Sequence, residues 1–360
     1  MSRYVDLFSP VALGDLQLPN RLVMAPLTRT RSGAEGVPGP LVAEHYGQRA
    51  STGLIVTEGT YPSRESRSYP GQPGIVTDEQ QEGWRGVAEA VHARGGRLVM
   101  QVMHGGRVTH TDITGTERIV GPSAIAIQGE THTATGKVAY PVPHELTTSE
   151  IADVVTDFVT ASRRAVDAGL DGVEIHSANG YLLHQFLAPG SNHRTDSYGG
   201  SPENRARLSI EVATAVAAEI GAGRVGIRIS PAHNIQDALE TDPADVEATY
   251  AALVEGLAPL GLAYLSVLHA DPTGDLVQGL RKRFEGPLML NTGFAAVTTR
   301  EEATGLVADG VADVVAVGRA VMANPDLLAR WQGGHPENEL DPTTSYGSGA
   351  EGYTDYPFLA

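Results

Sequence analysis

Eight short apolar runs recur along the chain, at residues 21–24, 54–57, 97–102, 172–175, 224–229, 263–267, 287–290 and 314–317. Runs so short and so continuously apolar read as strands buried on both faces, the mark of a parallel sheet covered by helices. Between them, helical periodicity is predicted over residues 79–94, 149–168, 202–220, 243–260 and 299–309. An open doubly wound sheet and a closed (β/α)8 barrel share this local pattern. A dinucleotide-binding sheet should carry G-x-G-x-x-G after its first strand, whereas Ala25-Pro26-Leu27-Thr28 stands there. The expected fold is therefore α/β, a TIM barrel. With 360 residues, 41% of them hydrophobic, the chain can bury the core of one such domain spanning 1–360.

Helix ends carry recognisable caps. Thr148 or Ser149 precedes Glu150, Asp242 precedes Pro243, and Thr298 or Thr299 precedes Glu301 and Glu302, while Gly169 and Gly310 suit left-handed C-caps. The longest interruption, residues 104–147, is rich in Gly, Thr, His and Pro and parts the third strand from its helix. It is expected to be an inserted lid or hairpin near a site.

Composition removes several functions. A formal charge of −17 argues against a nucleic-acid surface, and the run Arg281-Lys282-Arg283 is most simply a solvated helix face. The absence of Cys removes disulfides, thiolate nucleophiles, thiolate-held clusters and Cys zinc sites. Lys137 and Lys282 are the only lysines and neither ends a predicted strand, so a Schiff-base mechanism lacks a nucleophile. Met1 to Leu18 lacks the pattern of an export signal and no stretch reaches membrane-spanning length, which points to the cytoplasm.

Polar residues fall where barrel strands end, which is where barrel active sites gather. Thr28 follows the first strand, Gln101 and His104 end the third, Arg228 ends the fifth, and Gly318-Arg319 follow the eighth. After the fourth come His176-Ser177-Ala178-Asn179-Gly180-Tyr181. His176 and Asn179, three apart, would meet on one face of a helical turn and donate to one oxygen, while Tyr181 adds a phenol able to protonate an enolate. Alternatively, His176 and Asn179 merely satisfy backbone groups in a tight loop. Asn291-Thr292-Gly293-Phe294 and Gly318-Arg319-Ala320 offer backbone N–H groups and a guanidinium for a phosphate. A flavin ring would suit the remaining rim groups, with Arg228 beside its pyrimidine edge and Gln101 and Thr28 bonding its carbonyls; the alternative for Arg228 is a structural ion pair with a carboxylate such as Glu174. A metal hydrolase using His104, His176 and His269 is the competing chemistry, although neither H-x-H nor H-E-x-x-H is present, and His184 and His193 read as structural.

Taken together, the motifs resemble the Old Yellow Enzyme group of flavin mononucleotide (FMN)-dependent ene reductases. The likeness runs from Leu7-Phe8-Ser9-Pro10 and Pro19-Asn20-Arg21 through Met24-Ala25-Pro26-Leu27-Thr28-Arg29 and Gln101-Val102-Met103-His104-Gly105-Gly106-Arg107. It continues over HSANGYLLHQFLAPGSNHRTDSYGGSPENRARL at 176–208, Gly318-Arg319, and residues 349–357. The resemblance implies a barrel closed below by an N-terminal hairpin. It puts Pro26, Leu27, Thr28, Gly59, Gln101 and Arg228 around the flavin ring, and Gly293, Phe294, Gly318 and Arg319 at its phosphate end. His176 and Asn179 would bind the oxygen of an enone, enal or nitroalkene, Tyr181 would donate the proton, and Met103 and Tyr353 would line the pocket. NADPH or NADH would supply hydride, and the protein would be a monomer or homodimer without a metal. Met103 stands where a large aromatic is frequent in the family, and Ser266 where a histidine often stands.

Overall fold

The computed structural model describes residues 5–294 and 296–360. Its centre is a closed barrel of parallel strands, Leu22–Met24, Leu54–Val56, Leu98–Val102, Gly172–Ser177, Val225–Ile229, Tyr264–Leu268, Leu288–Asn291 and Val314–Val317. Each strand pairs with the next, and the eighth closes on the first through Val315 and Leu22. All eight predicted runs are barrel strands.

Alternation along each strand divides the apolar side chains into two cores, because successive residues face opposite sides. Outward residues such as Leu22, Ile55, Val173, Ile227 and Leu290 pack beneath the surrounding helices. Inward residues Val23, Leu54, Val56, Val99, Tyr264, Met289 and Val314 fill the barrel itself. The hairpin Val11–Leu13 with Leu16–Leu18 joins this inner core through Leu13, Leu16 and Leu18. Asp15 N–H donates to Gly223 O at 2.8 Å, just ahead of the fifth strand, so the hairpin closes the lower end of the barrel. Each fully buried Leu or Val contributes about 1.5–3 kcal/mol relative to exposure.

The predicted helices are present as Asp78–His92, Thr148–Asp167, Pro202–Ile220, Pro243–Leu257 and Arg300–Ala308. Pro40–Gln48 and Asp275–Phe284 are further helices. Asp242 and Thr299 cap as expected, and Gly169 and Gly310 have φ of +97° and +70°. The long helix is capped one residue earlier than expected, by Thr147, whose hydroxyl accepts from Glu150 N–H while the Glu150 carboxylate accepts from Thr147 N–H. That reciprocal pair satisfies two otherwise free donors. Arg281, Lys282 and Arg283 occupy the last turn of Asp275–Phe284, where cations favour the helix dipole.

The insertion after the third strand folds into a hairpin, Glu130–Thr133 with Gly136–Ala139, and a short parallel pair, Val120–Gly121 with His144–Glu145. Tyr140, at the hairpin's end, packs against Met103, Val108, Ile127 and Tyr181. The insertion thus reaches the upper rim. Among the described residues, no helix is long and apolar enough to cross a membrane.

Candidate active site

The fourth strand runs to Ser177, two residues beyond the predicted end. His176 therefore lies on the strand, in register with Arg228, and not in a loop. Polar letters end a strand in a sequence reading, but the mouth of a barrel is polar, and the strand continues into it. Ser177 faces outward and shares a 2.9 Å hydrogen bond with Ser209.

The chain then turns through two left-handed residues, Asn179 at φ +57° and Gly180 at φ +80°. Asn tolerates this region better than most side chains. His176 and Asn179 are thus joined by a strand end and a left-handed bend rather than by one helical turn as expected. Asn179 N–H donates to Ser230 Oγ at 2.8 Å, and Gln236 Nε2 donates to Asn179 O at 3.3 Å. A Cβ on Gly180 would lie 2.8 Å from Ile235 O, so the loop after the fifth strand closes directly on this bend. Gly180 N–H also donates to Nδ1 of the fully buried His184, whose other ring nitrogen stands 3.3 Å from Glu240, a structural placement as expected.

Two buried polar atoms here have no partner, His176 Nδ1 and Asn179 Oδ1. Such atoms are costly unless something is to be bound. Burial, with Arg228 and His184 nearby, holds the His176 pKa well below its ordinary value, so its imidazole is neutral. Tyr181 is only 8% exposed and meets the His176 ring edge to face at 5.0 Å. Its hydroxyl lies 2.8 Å from that of Tyr69, and burial pushes its pKa up to about 12. The phenol keeps its proton at neutral pH.

Deeper in the barrel lie Gln101 and Arg228, both buried. Gln101 Nε2 donates to Glu174 Oε1 at 2.7 Å, and Arg228 Nη1 donates to Ser266 Oγ at 3.4 Å while its Nε has no partner. Ser266 is thus a contact of Arg228. Pro26, Leu27 and Thr28 are half-buried in the loop after the first strand. That loop is held by Glu58, whose Oε2 accepts from the N–H groups of Arg29 at 2.9 Å and Thr30 at 3.1 Å. Gly59 sits against Met103, because a Cβ there would lie 2.6 Å from the thioether sulfur. Gly293 has φ +99°, and a Cβ on it would meet nothing within 4 Å. Arg319 is exposed and opens the short helix Arg319–Ala323 behind Gly318; it donates to Phe294 O at 2.5 Å, tying the seventh and eighth loops together. The Phe294 ring is exposed and lies edge-on to His233 at 4.9 Å.

Tyr353 is not at the pocket wall. Its ring is fully buried, stacked on His45 at 3.8 Å with Arg31 over it at 4.3 Å. A ring sandwiched between an imidazole and a guanidinium pins the tail, and the expected substrate contact is corrected accordingly. Tyr346, from the same tail, is 69% exposed and lies on the same side of the rim as Tyr181 and Tyr69. Tyr69, Gln236 and Tyr346 were not picked out by sequence, since each comes from a separate loop and gains meaning only when folded. His104 is buried, accepts from Gly106 N–H at 3.0 Å, and has its pKa lowered to about 3 by burial. Among the described residues, no three His, Cys, Asp or Glu side chains gather as a metal-ligand set, so His104, His176 and His269 do not converge.

The NADH:flavin oxidoreductase / NADH oxidase family model matches residues 6–338. The chain belongs to this family. Among curated relatives of this flavin oxidoreductase, a probable flavin mononucleotide-dependent alkene reductase of Leishmania infantum is 42% identical, with 99% of each chain covered. The 12-oxophytodienoate reductase 1 of Oryza sativa subsp. japonica is also 42% identical, over 99% of this chain and 93% of the relative. Among solved structures, the old yellow enzyme homologue from Zymomonas mobilis superposes with a TM-score of 0.93 at 39% identity, covering 99% of this chain and 100% of that one. Morphinone reductase in complex with tetrahydroNAD gives 0.92 at 44%, covering 99% and 98%. The resemblance read from the motifs is thereby established at the level of family and fold.

Proposed function

We propose that this flavin oxidoreductase is an FMN-dependent NAD(P)H:alkene reductase acting on enones, enals and nitroalkenes. The reading is carried by one observation, the buried and unpartnered ring nitrogen of the neutral His176 beside the protonated Tyr181 phenol. The names of the relatives, alkene reductase and 12-oxophytodienoate reductase, support the same class. The residues present fit FMN. Gly293 and Gly318 leave backbone open at the seventh and eighth loops, Arg319 supplies a cation there with Phe294 beside it, and Pro26, Leu27, Thr28, Gly59, Gln101 and Arg228 would hold the ring. Bound FMN supplies the redox centre that accepts hydride from NADPH or NADH and passes it to the β carbon of the alkene.

The chain's own side chains polarise and protonate. Asn179 Nδ2 and the protonated nitrogen of the neutral His176 donate to the substrate oxygen and stabilise charge developing on it, each for about 3 kcal/mol. With an enone or enal, Tyr181 delivers its proton to the α carbon, a transfer made downhill by the greater basicity of the enolate; a nitronate is already a stable anion and needs the proton less. Met103, buried against Tyr181, shapes the pocket with a flexible thioether. One pocket receiving nicotinamide and alkene in turn implies ping-pong kinetics.

The test is the visible spectrum of the purified protein under anaerobic conditions. A flavin band should bleach with NADPH or NADH and return with cyclohexenone. Bleaching without return would leave a flavin carrier, and a colourless protein that does not take up FMN would remove the reading.

A further inference from the structure

Glu174 has no part in the chemistry above, yet it is a carboxylate at 0% exposure inside the barrel. On the fourth strand it shares the inward face with His176, two residues deeper, and lies in register with Gln101 on one side and Gly226 on the other. Its Oε1 accepts from Gln101 Nε2 at 2.7 Å, the Tyr264 hydroxyl stands against the same carboxylate, and its charge acts on Arg228. Gly226 leaves room for the Tyr264 ring to cross the barrel beneath Arg228, since a Cβ there would stand 2.2 Å from Tyr264 Cζ.

A carboxylate only accepts, so it binds the NH2 end of the Gln101 amide and leaves the carbonyl end free. With Glu174 in place, Gln101 presents an acceptor to its surroundings, ready for a ring N–H. Among the described residues no other group is hydrogen-bonded to the Gln101 side chain, so losing Glu174 frees the amide to turn. The same anion offsets the charge of Arg228, the group proposed to face the flavin's pyrimidine edge.

We propose that Glu174 is a positioning residue that fixes the hydrogen-bonding polarity of Gln101 toward the flavin and, through Arg228, restrains the flavin's reduction potential. This rests on the FMN reading above. A negative charge near a centre that gains electrons disfavours reduction, so removing it should move the midpoint potential upward.

FMN affinity and midpoint potential should be measured for the wild-type holoprotein, Glu174→Gln and Glu174→Asp. Glu174→Gln removes the charge at nearly constant shape and should shift the potential to a more positive value. Glu174→Asp keeps the charge but shortens its reach to Gln101, so FMN should dissociate about tenfold more readily, as for one lost hydrogen bond, with the potential near wild type. If Glu174→Gln does not fold, the Asp variant still decides the orienting role. Wild-type affinity and potential in both variants, even with lowered thermal stability, would make Glu174 a structural residue and overturn the proposal. A wild-type protein that binds no FMN would overturn the flavin reading first and this one with it.

Discussion

Tyr181 is the residue whose proposed role is simplest to isolate. Tyr181→Phe keeps the ring packed against His176 and removes only the proton, so nicotinamide should still bleach the flavin normally. Reoxidation by cyclohexenone should slow by about a hundredfold or more, the usual contribution of a general acid, as read by stopped-flow absorbance. Because the pKa of Tyr181 is pushed up to about 12 and that of His176 is held well below its ordinary value, neither group titrates near neutrality. The rate of the alkene step should therefore be level across the neutral range; a clear inflection there would assign the proton to another group. His176→Ala should weaken phenol binding by about 2 kcal/mol, about thirtyfold, because a phenolate oxygen needs the donor that is lost; a spectral titration checks it. At this scale the sequence named the residue types but not their geometry. Nothing local predicts the left-handed Asn179, whose backbone is held by Ser230 and Gln236 from another loop. Tyr353 and Tyr346 stand in the same tail, and only packing against His45 and Arg31 tells which is buried.

Among the elements, the barrel strands were the easiest to read, because each is a continuous apolar run, and the fourth was cut short only where its interior becomes polar. The C-terminal tail was the hardest. Arg29 donates to Ser345 O and Gly352 O, and Arg31 to the carbonyls of Thr344, Ser345, Gly349 and Glu351. These bonds are made to backbone, so no side-chain motif announces them. Arg31→Ala would leave several carbonyls without their charged donor, each such bond being worth about 1.5–3 kcal/mol. Amide hydrogen exchange in residues 344–353 should accelerate by at least an order of magnitude while the barrel strands exchange as before. Unchanged exchange would mean that Arg29 and the stack of Tyr353 on His45 hold the tail without Arg31.

Across the whole molecule, His45, His104 and His176 are buried in the neutral form, with pKa values lowered chiefly by desolvation and that of His104 at about 3. In the unfolded chain each takes up a proton below about pH 6.5 while the folded protein does not. Stability should therefore fall as the pH drops from 6.5, by up to about 1.4 kcal/mol per pH unit for each histidine, until the folded groups titrate. Glu58 and Glu174, whose pKa values are raised by burial, act in the opposite sense and offset part of the loss as they take up protons in the folded state. Urea midpoints measured from pH 7.5 to 5 should decline, and His104→Gln should lessen the slope. The tail has one more consequence at this scale. Arg29 and Gly352 are 323 positions apart in the chain, and the segment from Pro26 to Thr28 lies immediately before the residues that grip the tail. Because a chain is made from its N-terminus, this loop emerges long before the segment that supports it, and it should stay loosely held until residues 345–352 have been made.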